Sequence, residues 1–175
     1  LILSKTFGDK LRGNMSTEAQ SSENTGKFSI RGAQTSDIVA VTGIDTRITN
    51  LSKPDYWTDM FERYGNRTNR FFLVAENENS TVIGFTIGEV RAWEFGSKPC
   101  GWIFAMGVDP DNRLNKVGST LFDAMCDRLT SAGVDTVRTM LARDDELNMT
   151  FFRAQGMMGG PFIQLEMPLG QGGGK

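Results

Sequence analysis

Apolar and polar residues alternate with the period of a strand in some stretches of this chain and recur with the period of a helix in others. Alternation, or a short continuous apolar run, predicts strands at residues 27–33, 70–76, 81–93, 101–108, 135–141 and 161–169. Apolar residues three or four positions apart predict helices at residues 35–48, 52–65, 118–133 and 144–156. The run 101–108, GWIFAMGV, is apolar on both faces, as expected of a central strand.

These elements follow the order β-α-α-β-β-β-α-β-α-β. The order predicts an α/β fold, with a mixed central sheet, helices on both faces and a strand–helix–strand unit at its centre. The patterned stretch is continuous over residues 27–168 and predicts one domain. Residues 1–26 are polar and without periodicity, which predicts a disordered arm that contains a candidate native start at Met15, and residues 169–175 are expected to form a flexible tail.

Composition and charge are those of an ordinary globular domain. Of the 175 residues, 39% are hydrophobic and 23% are charged. The 19 basic and 21 acidic residues give a net charge of −2, so no basic excess indicates a nucleic-acid or membrane partner. No apolar run reaches the ~20 residues that cross a bilayer, and the first residues make a poor signal peptide, so a cytoplasmic location is expected.

The chain contains two cysteines, Cys100 and Cys126, in different predicted elements, and no histidine. A zinc site needs three or four nitrogen or sulfur ligands, so no metal site is expected. The lack of histidine also excludes every mechanism in which a histidine acts as the base.

The stretch VDPDNRLNKVGSTLF, residues 108–122, joins the predicted central strand to a helix through a polar loop and a glycine. Such a connection can hold a phosphate with backbone N–H groups at the helix N-terminus. The spacing of its residues matches neither the Walker loop of enzymes that bind nucleoside triphosphates nor the GxGxxG fingerprint of dinucleotide-binding proteins. On these residues alone, an ordinary strand-to-helix connection is as good an interpretation as a phosphate site.

The same stretch resembles the acyl-CoA-binding motif of the GNAT superfamily of N-acetyltransferases, V-x-P followed by [Q/R]-x-x-G-x-[G/A]. It matches at Val108, Pro110, Arg113, Gly118 and Leu121. It departs from the motif at Lys116, where the family usually has glycine. Two further segments extend the resemblance to roughly residues 28–168: FLVAENENSTVIGFTIGEV is similar to the family's second and third strands, and DDELNMTFFRAQGMM to its late helix. The resemblance implies the GNAT acyl-CoA N-acyltransferase fold.

The resemblance also implies acetyl-CoA as co-substrate, with its pyrophosphate held by the loop and its pantetheine arm along the central strand. The residues expected to bind it are Met106, Val108, Arg113, Leu114, Lys116, Gly118, Ser119 and Phe152. Two interpretations of Lys116 remain open. Its ammonium either pairs with a phosphate, or the loop makes its turn without glycine and the lysine points into water.

The implied reaction is direct attack of a primary amine on the thioester, which needs a route for protons. The family's tyrosine on the late helix is replaced by Phe152, so no ionisable group stands there. Glu89 continues the alternation of residues 83, 85 and 87 onto an apolar face and is the candidate base, with an ion pair to Arg91 or Arg138 as the alternative. Glu94 is the second candidate, and Asp145 is either a helix-start acid or a ligand contact.

The acceptor is expected to bind at the second helix, through Tyr56 and Tyr64, although the aromatic residues there, including Trp57 and Phe61, equally suit a core. The implied function is acetylation of a primary amine: a protein lysine, a protein N-terminus or a small molecule. The alternative is a catalytically weak or silent acyl-CoA-binding regulator, because Phe152 and a central strand without carboxylates weaken the case for catalysis. A P-loop nucleotide enzyme is disfavoured by the motif. A monomer or a homodimer is expected.

Overall fold

The computed structural model describes residues 28–65, 67–113 and 115–169. The predicted N-terminal arm, Leu114 and the tail beyond residue 169 lie outside the described residues. The strands are β1 (Phe28–Gly32), β2 (Arg70–Asn77), β3 (Val82–Arg91), β4 (Cys100–Val108) and β5 (Val137–Arg138). The helices are α1 (Ile38–Thr49), α2 (Pro54–Tyr64), α3 (Val117–Ser131) and α4 (Glu146–Ala154).

The five strands form one sheet in the order β1-β2-β3-β4-β5. The first three pairs are antiparallel, while β4 and β5 are parallel and are joined through α3. Parallel neighbours require such a crossover, since a tight turn cannot join them. The predicted α/β class with a mixed sheet is therefore confirmed.

Buried side chains cover both faces of the sheet. One cluster, which includes Val41, Trp57 and Phe85, lies between the sheet and helices α1 and α2. The other, which includes Leu121 and Phe152, lies between the sheet and helices α3 and α4. Within the described part of the chain, no helix is long and apolar enough to span a bilayer.

An irregularity in β3 corrects one detail of the predicted pattern. The register between β2 and β3 shifts so that Ala75 pairs with Gly84 and Glu76 with Val82, leaving Ile83 as an extra residue. Ile83 consequently belongs to the α3 side of the sheet, whereas Phe85 and Ile87 belong to the α1–α2 side. The simple alternation predicted from residue 83 onward was wrong at its first position.

Two predicted strands differ from the structure. The strand predicted at 135–141 is reduced to Val137–Arg138, because the chain leaves the sheet at residue 139. The strand predicted at 161–169 is absent: no ladder forms in this segment, and its apolar side chains are exposed. The alternation of apolar residues mispredicted both segments, because a strand also needs a neighbouring strand for its backbone hydrogen bonds.

A charged network attaches β1 to the start of α1. Arg31 donates to both carboxylate oxygens of Asp37, at 2.7 and 3.0 Å, and also to Glu76 on β2. The backbone N–H of Gln34 donates to Asp37 Oδ2 at 2.7 Å. Burial acts to raise the pKa of Asp37, but the hydrogen bonds from Arg31 and Gln34 outweigh it and hold this pKa below its usual value.

Asp37→Asn is expected to lower the free energy of unfolding by about 1–3 kcal/mol at neutral pH, because Arg31 loses one of its two carboxylate partners. A carboxyl group whose pKa is lower in the folded state stabilises above its unfolded pKa of about 3.9. That stabilisation disappears as the pH falls through the folded pKa. Urea unfolding of both proteins should therefore show a difference that is constant near neutrality and shrinks below about pH 4.

The control is Asp59→Asn, which removes an exposed carboxylate of α2 whose one ion-pair partner within the described residues is Arg63. It should change the unfolding free energy by less than about 0.5 kcal/mol. A loss in Asp37→Asn that stayed the same down to about pH 3 would contradict the electrostatic explanation.

Candidate active site

The functional region of the sheet lies where β4 loses its neighbour β5. The parallel ladder consists of Gly101 with Val137 and Trp102 with Arg138, and beyond Trp102 this edge of β4 has no ladder partner among the described residues. The N–H of Asp109 donates to Ile83 on β3 at 2.9 Å. Because N–H directions alternate along a strand, the N–H groups of Met106 and Val108 point away from β3, toward the open edge.

A bulge interrupts β4 beside this opening. Ile87 of β3 pairs with Ala105, and the next residue, Gly88, pairs with Ile103, so Phe104 is the extra residue. Phe104 and Ala105 both pack on the α1–α2 side of the sheet as a result. Bulges of this kind redirect side chains and backbone groups next to functional sites.

Two adjoining cavities lie along β4. The first, which we call the strand cavity, has a volume of about 320 Å³ and separates β4 from residues 139–142, the segment that follows β5. Its wall also includes Asp45, Tyr56, Trp57, Asp145 and Phe152. The second, the loop cavity, has a volume of about 310 Å³ and lies at the loop between β4 and α3. Both walls contain Met106 and Asn148, so the cavities adjoin there.

The two cavities differ in charge. The charged residues in the wall of the loop cavity are Arg113 and Lys116, both cationic. The wall of the strand cavity contains the carboxylates Asp45 and Asp145 together with Lys53. The loop cavity is thus suited to an anion, and the strand cavity to a ligand with a positive charge.

The loop turns into α3 at Lys116, whose φ of 59° and ψ of 12° lie in the left-handed region. A side chain there costs about 1–2 kcal/mol, which is why glycine is the usual residue in such turns. Lys116 therefore makes the turn that glycine makes in the acyl-CoA motif. The first N–H groups of α3 have no partners within the helix and are directed toward the loop.

Contacts from two other helices hold this loop in place. Arg47 of α1 donates to Asp109 at 2.6 Å and to Asp111 at 2.8 Å. Gln155, directly after α4, donates to the hydroxyl of Ser119 at 3.1 Å. The loop is therefore braced from both sides of the sheet.

The predicted coenzyme-binding residues fall largely together. Those in the wall of the loop cavity are Met106, Val108, Arg113, Lys116, Gly118 and Ser119. Phe152 lines the strand cavity instead, and Leu114 is not described. Of the predicted acceptor residues, Tyr56 lines the strand cavity, whereas Tyr64 lines neither cavity and packs against Phe104 with ring centroids 4.9 Å apart. Their roles in binding stay predictions.

The predicted base, Glu89, lines neither cavity. It pairs with Arg91 at 2.9 Å and with Arg70 at 3.7 Å, an arrangement close to the alternative interpretation of an ion pair, although Arg138 is not its partner. Burial, with the negative charge of Glu89 beside it, raises the pKa of Tyr64. The second candidate, Glu94, is exposed in a short turn. A catalytic role for Glu89 stays a prediction that this geometry does not support.

Asp145 caps helix α4. Its carboxylate accepts from the backbone N–H of Asn148 at 3.1 Å and from the Asn148 side chain at 2.7 Å. The helix-start interpretation of Asp145 therefore describes its contacts in the structure.

Asp45 is the residue of the strand cavity that the sequence interpretation missed. It follows Val41 by four positions and precedes Ile48 by three, so it interrupts the apolar face of α1. Its side chain is buried in the structure and accepts a hydrogen bond from Trp57 Nε1 at 2.9 Å. An acid on an apolar helix face was the available signal.

Comparisons with known proteins agree with this geometry. A model of the acetyltransferase (GNAT) family matches residues 39–157. The aminoglycoside N-acetyltransferase AAC(6')-Iy, solved in complex with CoA, has a TM-score of 0.71 at 16% identity, over 82% of this chain and 95% of that one. No curated protein sequence matches the chain.

Two more solved structures have the same fold. The aminoglycoside 6'-N-acetyltransferase AAC(6')-Ih from Acinetobacter baumannii has a TM-score of 0.69 at 13% identity, over 82% of this chain and 100% of that one. An aminoglycoside acetyltransferase from an uncultured soil metagenomic sample, in complex with sisomicin, has a TM-score of 0.65 at 19% identity, over 82% of this chain and 97% of that one. At these identities the likeness establishes the fold and leaves the acceptor open.

Gly118→Val is expected to block the loop cavity. A Cβ at Gly118 would lie 3.2 Å from the ring of Phe151 and 3.7 Å from Val108, so the larger side chain would fill the space between α3, α4 and the end of β4. We expect the affinity for CoA, measured by calorimetry, to fall on the order of tenfold or more while the melting temperature changes little.

Gly43→Val is the matched control, since Gly43 also lies in a helix and an added Cβ there meets nothing within 4 Å. It should bind CoA like the wild type. Wild-type affinity in Gly118→Val would show that the loop cavity is not the phosphate site.

Proposed function

Because the chain belongs to the acetyltransferase (GNAT) family, we propose that it transfers an acetyl group from acetyl-CoA to a primary amine across the two adjoining cavities. The observation that carries this proposal is the opening between β4 and the chain after β5. It places the cationic loop cavity and the carboxylate-bearing strand cavity next to each other at Met106 and Asn148.

The loop cavity fits the phosphates of acetyl-CoA. The first N–H groups of α3 favour an anion, and Arg113 and Lys116 add positive charge. The open N–H groups of Met106 and Val108 are in position to donate to the amides of an extended pantetheine arm, in the way that a neighbouring strand would accept them. The thioester would then lie near the bulge at Phe104 and Ala105, where the cavities adjoin.

Attack on the thioester requires a correctly positioned, uncharged amine and a hydrogen-bond donor to the carbonyl oxygen of the thioester. Backbone N–H groups on the open edge of β4 are the candidate donors. Phe152 lines the strand cavity with a ring that cannot donate a proton, so the thiolate leaves as such or takes its proton from water. Proton transfer is generally worth about 10²–10⁴-fold, so the reaction is expected to be slow and not absent.

The acceptor is proposed to be a small-molecule amine. A volume of about 320 Å³ suits a small molecule. Structures with the same fold include enzymes that act on aminoglycosides, which are small molecules with several amines. A protein lysine or N-terminus is the other class of acceptor, which would enter the same cavity with only its amine-bearing end.

A catalytically silent acyl-CoA-binding regulator is the second candidate, favoured by the phenylalanine at position 152. Incubation with acetyl-CoA, a panel of small amines and a thiol reagent separates the two. Release of free CoA that depends on both the protein and an amine supports the transferase. Tight CoA binding without release for any small amine or lysine peptide would favour the regulator.

Lys116→Gly tests how the loop holds its anion. Glycine adopts the left-handed conformation of residue 116 without steric cost, so the unfolding free energy should stay within about 1 kcal/mol of the wild type. If the ammonium contacts a phosphate, CoA affinity falls by roughly 1–3 kcal/mol, with a smaller loss at high salt. Calorimetry with pantetheine, which lacks the pyrophosphate, is the control and should show little change.

Equal losses for CoA and pantetheine would contradict phosphate pairing. They would mean that Lys116 acts through the shape of the loop, the other interpretation left open by the sequence.

A further inference from the structure

Asp45 has an unusual position for a carboxylate. It is only 7% exposed, and it projects from α1 into the wall of the strand cavity. One oxygen, Oδ2, accepts from Trp57 Nε1 at 2.9 Å and lies 3.0 Å from the ammonium of Lys53. Trp57 is itself only 3% exposed and packs in the core, so the carboxylate is held on a rigid support.

The second oxygen of Asp45, Oδ1, makes neither of these two contacts. Every hydrogen bond and ion pair of Asp45 recorded within the described residues is made by Oδ2. In the same part of the chain, no buried side-chain oxygen or nitrogen is without a partner. Oδ1 is therefore accessible to solvent. Because Asp45 lines the strand cavity, a ligand in that cavity can donate a hydrogen bond to Oδ1.

The neighbourhood of this oxygen is suited to a cation. Lys53 already places an ammonium beside the same carboxylate, and its Nζ also lies 5.7 Å from the centre of the Tyr56 ring. A carboxylate and an aromatic face together attract ammonium groups. The other carboxylate of the cavity, Asp145, already accepts hydrogen bonds with both oxygens as a helix cap.

The amine that attacks a thioester must be uncharged, whereas a carboxylate in contact with an amine favours its protonated form. Asp45 is thus better suited to a group that does not react. We propose that Asp45 binds a second, non-reacting ammonium group of the acceptor, which makes linear diamines and polyamines the preferred acceptor class. This inference rests on the proposed function and names its substrate class.

The ammonium of Lys53 would compete with the acceptor's ammonium for Asp45. Lys53 stands directly before α2, its side chain is partly exposed, and its ammonium adjoins the place where the acceptor's ammonium would contact Asp45. Like charges at this distance repel, so Lys53 opposes binding of a dicationic acceptor. Removing it should have the opposite effect from removing the charge of Asp45.

The experiment compares steady-state kinetics with a linear diamine and with the monoamine of equal chain length. The wild type should have the lower KM for the diamine. Asp45→Asn should raise the KM for the diamine roughly tenfold to a hundredfold, the scale of a lost charge-assisted contact, and should change the KM for the monoamine much less. Asparagine keeps an oxygen that can accept from Trp57 Nε1, so the fold should survive.

Lys53→Gln should lower the KM for the diamine and change the KM for the monoamine much less. Asp59→Asn is the control for net charge, because it removes an exposed carboxylate from α2, the helix that contacts α1. It should change neither KM more than about twofold.

Equal effects of Asp45→Asn on both amines, or a change confined to kcat, would overturn the proposal while acetyl transfer itself stands. A raised diamine KM in Lys53→Gln would also overturn it, and this result does not depend on whether Asp45→Asn folds. If the wild type binds CoA but acetylates no amine, the proposed function itself is wrong, and the Asp45 proposal that rests on it is wrong too.

Discussion

The whole site depends on how early β5 leaves β4. Two residue pairs hold these parallel strands together, and the chain then departs at residue 139. A sheet interior normally leaves no backbone hydrogen-bonding group without a partner. The departure exposes one edge of a central strand inside the protein, and it opens the strand cavity beside that edge. A ligand with its own amide groups can restore the missing hydrogen bonds, so the same feature that costs stability creates affinity.

The core of the fold is readable from the sequence because it depends on local periodicity. The apolar spacing in α1, α2 and α3 and the alternation in β1 to β4 predict these elements to within a few residues. Residues 135–141 and 161–169 show the same alternation, yet the first contributes two residues to the sheet and the second none. Alternation reports which side chains are apolar, whereas a ladder also depends on a distant partner segment. The bulges at Ile83 and Phe104 are also defined by pairing with a neighbouring strand, so the sequence pattern does not predict them.

The residues of the candidate site also divide into those that the local sequence reveals and those that depend on distant parts of the chain. The loop residues around Gly118 are contiguous in sequence, so a motif finds them, and the structure places them around one cavity. Asp45, Lys53 and Trp57 are brought together only by the packing of α1 against α2. Glu89 was named as a base from its position on an apolar strand face. Its ion pair with Arg91, two residues further along β3, was the stated alternative, whereas Arg70 on β2 was not associated with it by spacing. When the partner of a side chain is distant in sequence, it can be identified only from the three-dimensional structure.

The division of charge between the two cavities has a consequence for the reaction. Acetyl-CoA carries its negative charge at the phosphates, far from the thioester, and an amine acceptor arrives as a cation. In the proposed function, the cations at the loop and the carboxylates in the strand cavity attract the two reactants to opposite ends of the two adjoining cavities. Between these ends lie Ala105, Met106 and Phe152, none of which carries a charge. Apolar surroundings disfavour an ammonium relative to the neutral amine. In the proposed function, an amine beside the thioester is therefore deprotonated more readily than in water, which lessens the need for a dedicated base there.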